Sequence, residues 1–177
     1  MSDRLEVPSP EEFAEEELSD VVRRLIEVLN HEGFEYDVEG GFFHGAIEIE
    51  EKLFPFRLHV SEESFLHIRI LLAGEPENKL GELYPTSLEK MQQYMYGRVY
   101  IDEEYRVCLW DYSGIPVSVG SLHDTFVRWF EEILASIRDF HHAFTAMEEG
   151  HTDEEVLEII EGCIELMELG YSPQTLQ

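Results

Sequence analysis

Apolar residues at Leu18, Val21, Val22, Leu25, Ile26 and Leu29 recur three and four positions apart, the spacing that lines one face of a helix. Ahead of them, Ser9 offers a capping hydroxyl, Pro10 suits the first helical position and Glu12 can return a carboxylate to the cap. A helix is therefore predicted over residues 9–32, with Gly33 as its left-handed stop. The period then falls to two. Phe43, Ile47 and Ile49, then Phe54, Phe56, Leu58 and Val60, then Leu66, Ile68, Ile70 and Leu72 alternate with polar positions. They read as consecutive antiparallel strands with one wet face, separated by turns at Gly40 and Gly41, at Glu51 and Lys52, and over residues 61–64. Pro55 lacks a ladder donor and has to sit where none is needed.

A proline- and glycine-bearing loop over residues 73–85 precedes Thr86 and Glu89, which read as a capping box for a short helix ending at Gly97, with Leu88, Met91 and Met95 on its apolar side. A hairpin follows around Glu103 and Glu104, with Val107 and Leu109 on one face and Cys108 and Trp110 on the other. Ser121 and Asp124 open the longest helix, whose wide stripe runs from Leu122 through Phe126, Trp129, Ile133, Ile137, Phe140 and Phe144 to Met147. A last helix starts at Thr152, capped with Glu155, and runs to Gly170. The fold class is α+β: an antiparallel sheet of about five strands with helices on one face, in the order α-βββ-α-ββ-α, plus an extra C-terminal helix over residues 152–170. No linker or repeat divides residues 1–177, so one domain is expected.

Composition narrows the partners. The 177 residues include 39 acidic and 12 basic side chains, a net charge of -27. Residues 1–20 hold eight acids and only Arg4 as a base, and residues 139–177 hold ten acids and no Lys or Arg. Phosphate-bearing partners are disfavoured, because nucleic acids and anionic membranes bind through cations. Basic protein segments suit the field better, although solubility or high-salt adaptation explains the same charge. The apolar runs are far shorter than the roughly 20 residues a membrane helix needs, and the start MSDRLEVPSP has no leader-like apolar stretch, so a cytoplasmic protein is expected. With only Cys108 and Cys163, a disulfide scaffold is excluded.

Candidate chemistry is sparse. If Val60 lies opposite Leu66, His59 faces His67 and Arg57 faces Arg69, and a tight turn at Glu51 and Lys52 adds His44 to the row. Three imidazoles on neighbouring strands suit zinc with an open fourth position. The alternative is a solvated mixed face in which Glu48 and Glu50 offset the arginines, and it is preferred because a one-residue slip disperses the row. His141 and His142 are adjacent on a helix, so they diverge, cannot both face one ion and are read as surface residues. Cys108 and Cys163 are read as buried small hydrophobes. No metalloprotease spacing or Gly-rich phosphate loop is present, and no cofactor is implied. Met91, Tyr94, Met95 and Tyr96 crowd one short helix, either as core or as a partly exposed patch that invites a partner.

Three stretches resemble the YbjN family within the type III secretion chaperone-like fold. They are VRRLIE at residues 22–27 followed by Gly33 and Tyr36, FRLHVSEESFLHIRILLAG at 56–74, and GRVYIDEEYRVCLWD at 97–111. The resemblance covers about residues 18–148 and leaves the final helix outside. It implies a non-enzymatic, chaperone-like or regulatory adaptor, similar to regulators of bacterial sensory transduction, that binds a protein segment and forms a homodimer. It also implies that Leu88, Met91 and Met95 of the short helix, with Tyr94 beside them, form the partner or dimer interface. The rival reading is a metal-binding protein or metal-dependent enzyme built on His44, His59 and His67.

Overall fold

A computed structural model describes residues 19–74 and 84–170. Helix α1 spans Asp20–His31, and Ser19 caps it by accepting from the Val22 amide. Ser19 itself is extended (ψ 146°), so the helix does not run through it, and the start expected at Ser9 to Glu12 lies outside the described residues. A serine whose hydroxyl satisfies a free amide ends the helix there. Gly33 takes φ 78° at the other end, as expected.

Among the described residues six strands follow the alternation: β1 (Tyr36–Glu39), β2 (Phe42–Ile49), β3 (Lys52–Val60), β4 (Leu66–Ala73), β5 (Arg98–Ile101) and β6 (Val107–Tyr112). They form one antiparallel sheet in the order β1-β2-β3-β4-β6-β5. The sixth strand is β1, joined to β2 by a two-residue turn in which Gly40 and Gly41 have φ 58° and 81°. Pro55 pairs with Ala46, and the ladder on its other side begins only at Phe56 opposite Ile70, so its missing amide is not called upon there. Gly45 is required by space: a Cβ there would lie 2.6 Å from the Phe56 ring and 2.8 Å from the Glu35 carbonyl oxygen.

The inner sheet face is apolar, with Phe43, Phe54, Phe56, Leu58, Ile68, Ile70 and Leu109 all buried. Helix α3 (Leu122–Glu148) lies across it and contributes Phe126, Phe130, Ile133, Ile137, Phe140, Phe144 and Met147 to one continuous core. Helix α1 packs beside α3. Helix α4 (Asp153–Glu168) has the expected Thr152–Glu155 capping box and docks on both α2 (Pro85–Gln92) and α3.

The expected capping box of Thr86 and Glu89 is not formed. Pro85 occupies the first helical position, the cap residue is Tyr84, and no side chain of α2 itself caps it. Asp153 at the start of α4 supplies the acceptor instead, taking the Ser87 amide at 3.2 Å and the Ser87 hydroxyl at 2.5 Å. Beside it, the Tyr84 hydroxyl donates to the His151 carbonyl at 2.9 Å. The free amides of a helix end accept any well-placed oxygen, and tertiary contact here outcompetes the local hydroxyl. Among the described residues, no helix is long and apolar enough to cross a membrane.

Replacing Gly45→Ala forces a methyl group into the Phe56 ring and the Glu35 carbonyl. Urea denaturation is expected to show a loss of about 1–3 kcal/mol, the range for overpacking a filled site.

Candidate functional site

Because strand side chains alternate, covering one face with helices leaves the opposite face open. The registers join that face into rows. Asp37 pairs with His44, His44 with Arg57, Arg57 with Arg69, Arg69 with Trp110, and Trp110 with Arg98, a line across all six strands. A second line runs from His59 through His67 to Tyr112. Trp110 and Tyr112 are 38% and 44% exposed.

The sequence-based pairing of His59 with His67 and of Arg57 with Arg69 is found in the structure. The addition of His44 is not. The turn between β2 and β3 is made by Glu50 and Glu51, with Ile49 opposite Lys52, so His44 pairs with Arg57 and the three imidazoles do not gather. Moving a turn by one residue moves the cross-strand partner by two. Phe42 takes the place beside His59, with ring centroids 4.8 Å apart.

Like charges directly opposite each other oppose pairing, and the two arginines find separate outlets. Arg57 lays its guanidinium over the Phe42 ring, 3.4 Å from its centroid. Arg69 turns to Asp102, donating to Oδ2 at 2.5 Å, and Arg106 donates to the same oxygen through Nε at 2.8 Å. Asp102 Oδ1 also accepts the amides of Glu104 and Arg106, shaping the β5–β6 hairpin. Burial alone would push the Asp102 carboxyl up, but the hydrogen bonds from Arg106 and the Glu104 amide hold it below the usual range. Burial, helped by His67 and Arg57, pulls His59 below 6.5. His59 is thus neutral at pH 7, and it stacks on His67 at 4.9 Å with 16° between the planes. His67 lies in turn 6.0 Å from Tyr112 and 5.9 Å from Trp110. The result is an aromatic strip flanked by arginines.

The short-helix residues are placed differently from the proposed interface. Leu88, Met91 and Met95 are buried within the chain's own core, Met95 beyond the end of α2. Of the four, only Tyr94 presents area to another molecule, at 41% exposed. Neighbouring Tyr96 is also exposed, and its phenol is pushed up to about 12 by its hydrogen bond to Glu132 and by burial. Cys108 and Cys163 are free and buried as expected. Burial raises both thiols, that of Cys163 to about 11 with Asp139 adding to the effect, so neither is an activated nucleophile. Cys163 lines a mostly apolar groove of about 510 Å³ between α3 and α4, with Thr145, Ala146, Ile159 and Leu166.

The reading of His141 and His142 as diverging surface residues is corrected: His141 is buried against the β2–β3 turn, His142 is exposed, and the two rings converge, with centroids 3.8 Å apart. A separate imidazole, His123 at the start of α3, lies between two carboxylates: Nε2 is 2.9 Å from Glu32 and Nδ1 3.4 Å from Asp124. The Glu32 contact and then Asp124 raise its pKa above 6.5. No family model matches the chain, and neither the curated proteins nor the solved structures contain a match to it.

Two outcomes follow from these placements. Met91→Ala should cost roughly 2–5 kcal/mol in chemical denaturation, as core truncation does, with no change of mass in light scattering. A raised folded-state pKa contributes stability that is complete below the unfolded value of about 6.5 and is lost as pH rises through the folded value. His123→Gln should therefore lower the thermal midpoint at pH 5.5, and the difference from the parent chain should vanish by pH 9.

Proposed function

We propose that this chain is a non-enzymatic protein-binding domain, chaperone-like or a regulatory adaptor, whose open sheet face receives a segment of another protein. One observation carries the reading: the uncovered face presents Trp110, Tyr112 and Phe42 together with Arg57, Arg69 and Arg98 in contiguous rows. Tryptophan, tyrosine and arginine supply most hot spots of protein interfaces, and surfaces meant only for water favour Lys and Glu instead. The strip offers flat apolar area, and the arginines are already oriented by Phe42 and Asp102, so little side-chain freedom is lost on binding.

Charge sets the partner's chemistry. The face lies within a chain of net charge -27, so its surroundings attract basic flanks and repel nucleic acid, although aromatic and arginine side chains would otherwise suit stacked bases. The fitting occupant is an extended segment with aromatic or aliphatic anchors over the Trp110–Tyr112–His67 strip, acceptor groups for the flanking arginines, and basic residues only beyond them, toward the acidic surroundings. The resemblance to YbjN and to secretion chaperones supports the same class of activity. The docking surface moves, however, from the short helix to the sheet, because Met91 and its neighbours are committed to the core. Two free thiols suit the reducing cytoplasm in which we place it.

The test compares proteins retained from native lysate by the parent chain and by Trp110→Ala and Arg57→Ala, followed by affinity measurement with the purified partner. Each exposed substitution should leave circular dichroism unchanged and weaken binding by about 2 kcal/mol, the hot-spot scale. Trp129 is buried, so a blue shift of emission on binding reports Trp110. Light scattering of the free protein shows whether the occupant is a second copy of the chain. Equal retention by parent and variants would refute the assignment of this face.

A further inference from the structure

The β2–β3 hairpin turns on two glutamates, Glu50 and Glu51, with φ 49° and 66°. Left-handed backbone at both central positions is the geometry for which Asn and Gly are preferred, and a glutamate is strained there. The strained turn delivers the Glu50 carboxylate to α3, where Oε2 lies 2.6 Å from Nε2 of His141, an imidazole only 7% exposed. The other ring nitrogen, Nδ1, lies 3.0 Å from the carbonyl oxygen of Arg138. A carbonyl only accepts, so Nδ1 carries the hydrogen and, in the neutral ring, the Nε2 lone pair points at Glu50. Two acceptors then face each other at hydrogen-bond distance, a position that a proton or a metal ion shared between them would satisfy.

His142 completes the group. Its ring centroid is 3.8 Å from that of His141, and one ligand atom from each of Glu50, His141 and His142 lies within 4.8 Å of the other two. We propose that these three residues bind a first-row divalent cation, zinc foremost. Two imidazoles and a carboxylate are a zinc donor set, and a ring nitrogen donating to a backbone carbonyl is the outer contact that orients a metal-bound histidine. Metal–ligand bonds of about 2.0–2.2 Å place tetrahedral donor atoms roughly 3.3 Å apart, so loading requires Glu50 to retreat by less than about 1 Å and the exposed His142 ring, whose ligand atom lies within 4.8 Å of the other two, to close in. Glu50 is exposed and at a turn, which permits that shift. His142 also lines the groove between α3 and α4, which gives the ion a route in and leaves its fourth position to water. The ion would tie the hairpin to the long helix.

A second cluster, His31, Glu32 and His123, has similar donors but a complete account without metal, since both nitrogens of His123 already meet carboxylates. It serves as the control. The full chain, stripped by chelator and dialysed, is titrated with zinc chloride alone by calorimetry, and with cobalt chloride for the visible absorption of a nitrogen–oxygen site. One ion per chain and a raised thermal midpoint are expected. His142→Ala and Glu50→Gln, both at exposed positions, should each weaken zinc binding by more than roughly tenfold and remove the cobalt spectrum, whereas His123→Ala should alter neither. No binding by the parent chain, binding that survives His142→Ala, or binding lost only in His123→Ala would overturn the proposal.

Discussion

The contact on which the structure depends is the face-to-face packing of α3 on the antiparallel sheet. Strands spend every second side chain on that contact, and the long helix answers with a stripe of aromatic and aliphatic groups from Leu122 to Met147. Burial of this area is the largest favourable contribution available to a domain of this size. Because the helices lie on one side only, the remaining half of each strand is turned outward. The chemistry of the open face is therefore what the chain is free to choose once the core is satisfied. It has chosen Trp, Tyr, His and Arg rather than a row of lysines and glutamates.

Charges on that face are arranged so that their repulsion does not undo the pairing beneath them. Arg57 and Arg69 oppose each other across β3 and β4, but one rests on an aromatic ring and the other on a nearly buried carboxylate shared with Arg106. His59 remains neutral, so it adds a flat ring to the strip and no further charge. The face thus has an apolar centre and fixed cations, set in an acidic chain.

Much of this was legible in the sequence where one physical signal dominates. Alternation from Phe43 to Leu72 located three strands, and the turn over residues 61–64 placed His59 opposite His67 correctly because both flanking strands constrain it. Thr152 and Glu155 announced α4 through a cap that is purely local. Elsewhere the signal was absent. Strand β1 is four residues long, too short for a period to show beside its glycine turn. Glu50 and Glu51 give no sign of a left-handed turn, so the sequence pattern puts the hairpin turn one residue late and misaligns His44. Whether Met91 of α2 faces outward or inward depends on α4, which no local pattern connects to it. The contact of Glu50 with His141 likewise joins residues far apart in the chain.

The cross-capping of α2 by Asp153 changes what the smallest autonomous unit of this polypeptide is. Ser87 and Tyr84 are both anchored to the strand of chain that leads into α4, and Val156, Ile160 and Ile164 close the seam beside them. A boundary drawn after residue 148 would strip hydrocarbon from α2 and α3 and orphan the Ser87 amide at the start of α2. The last helix is therefore a keystone of the cooperative body, and any truncated version that keeps its shape must extend at least to Ile164.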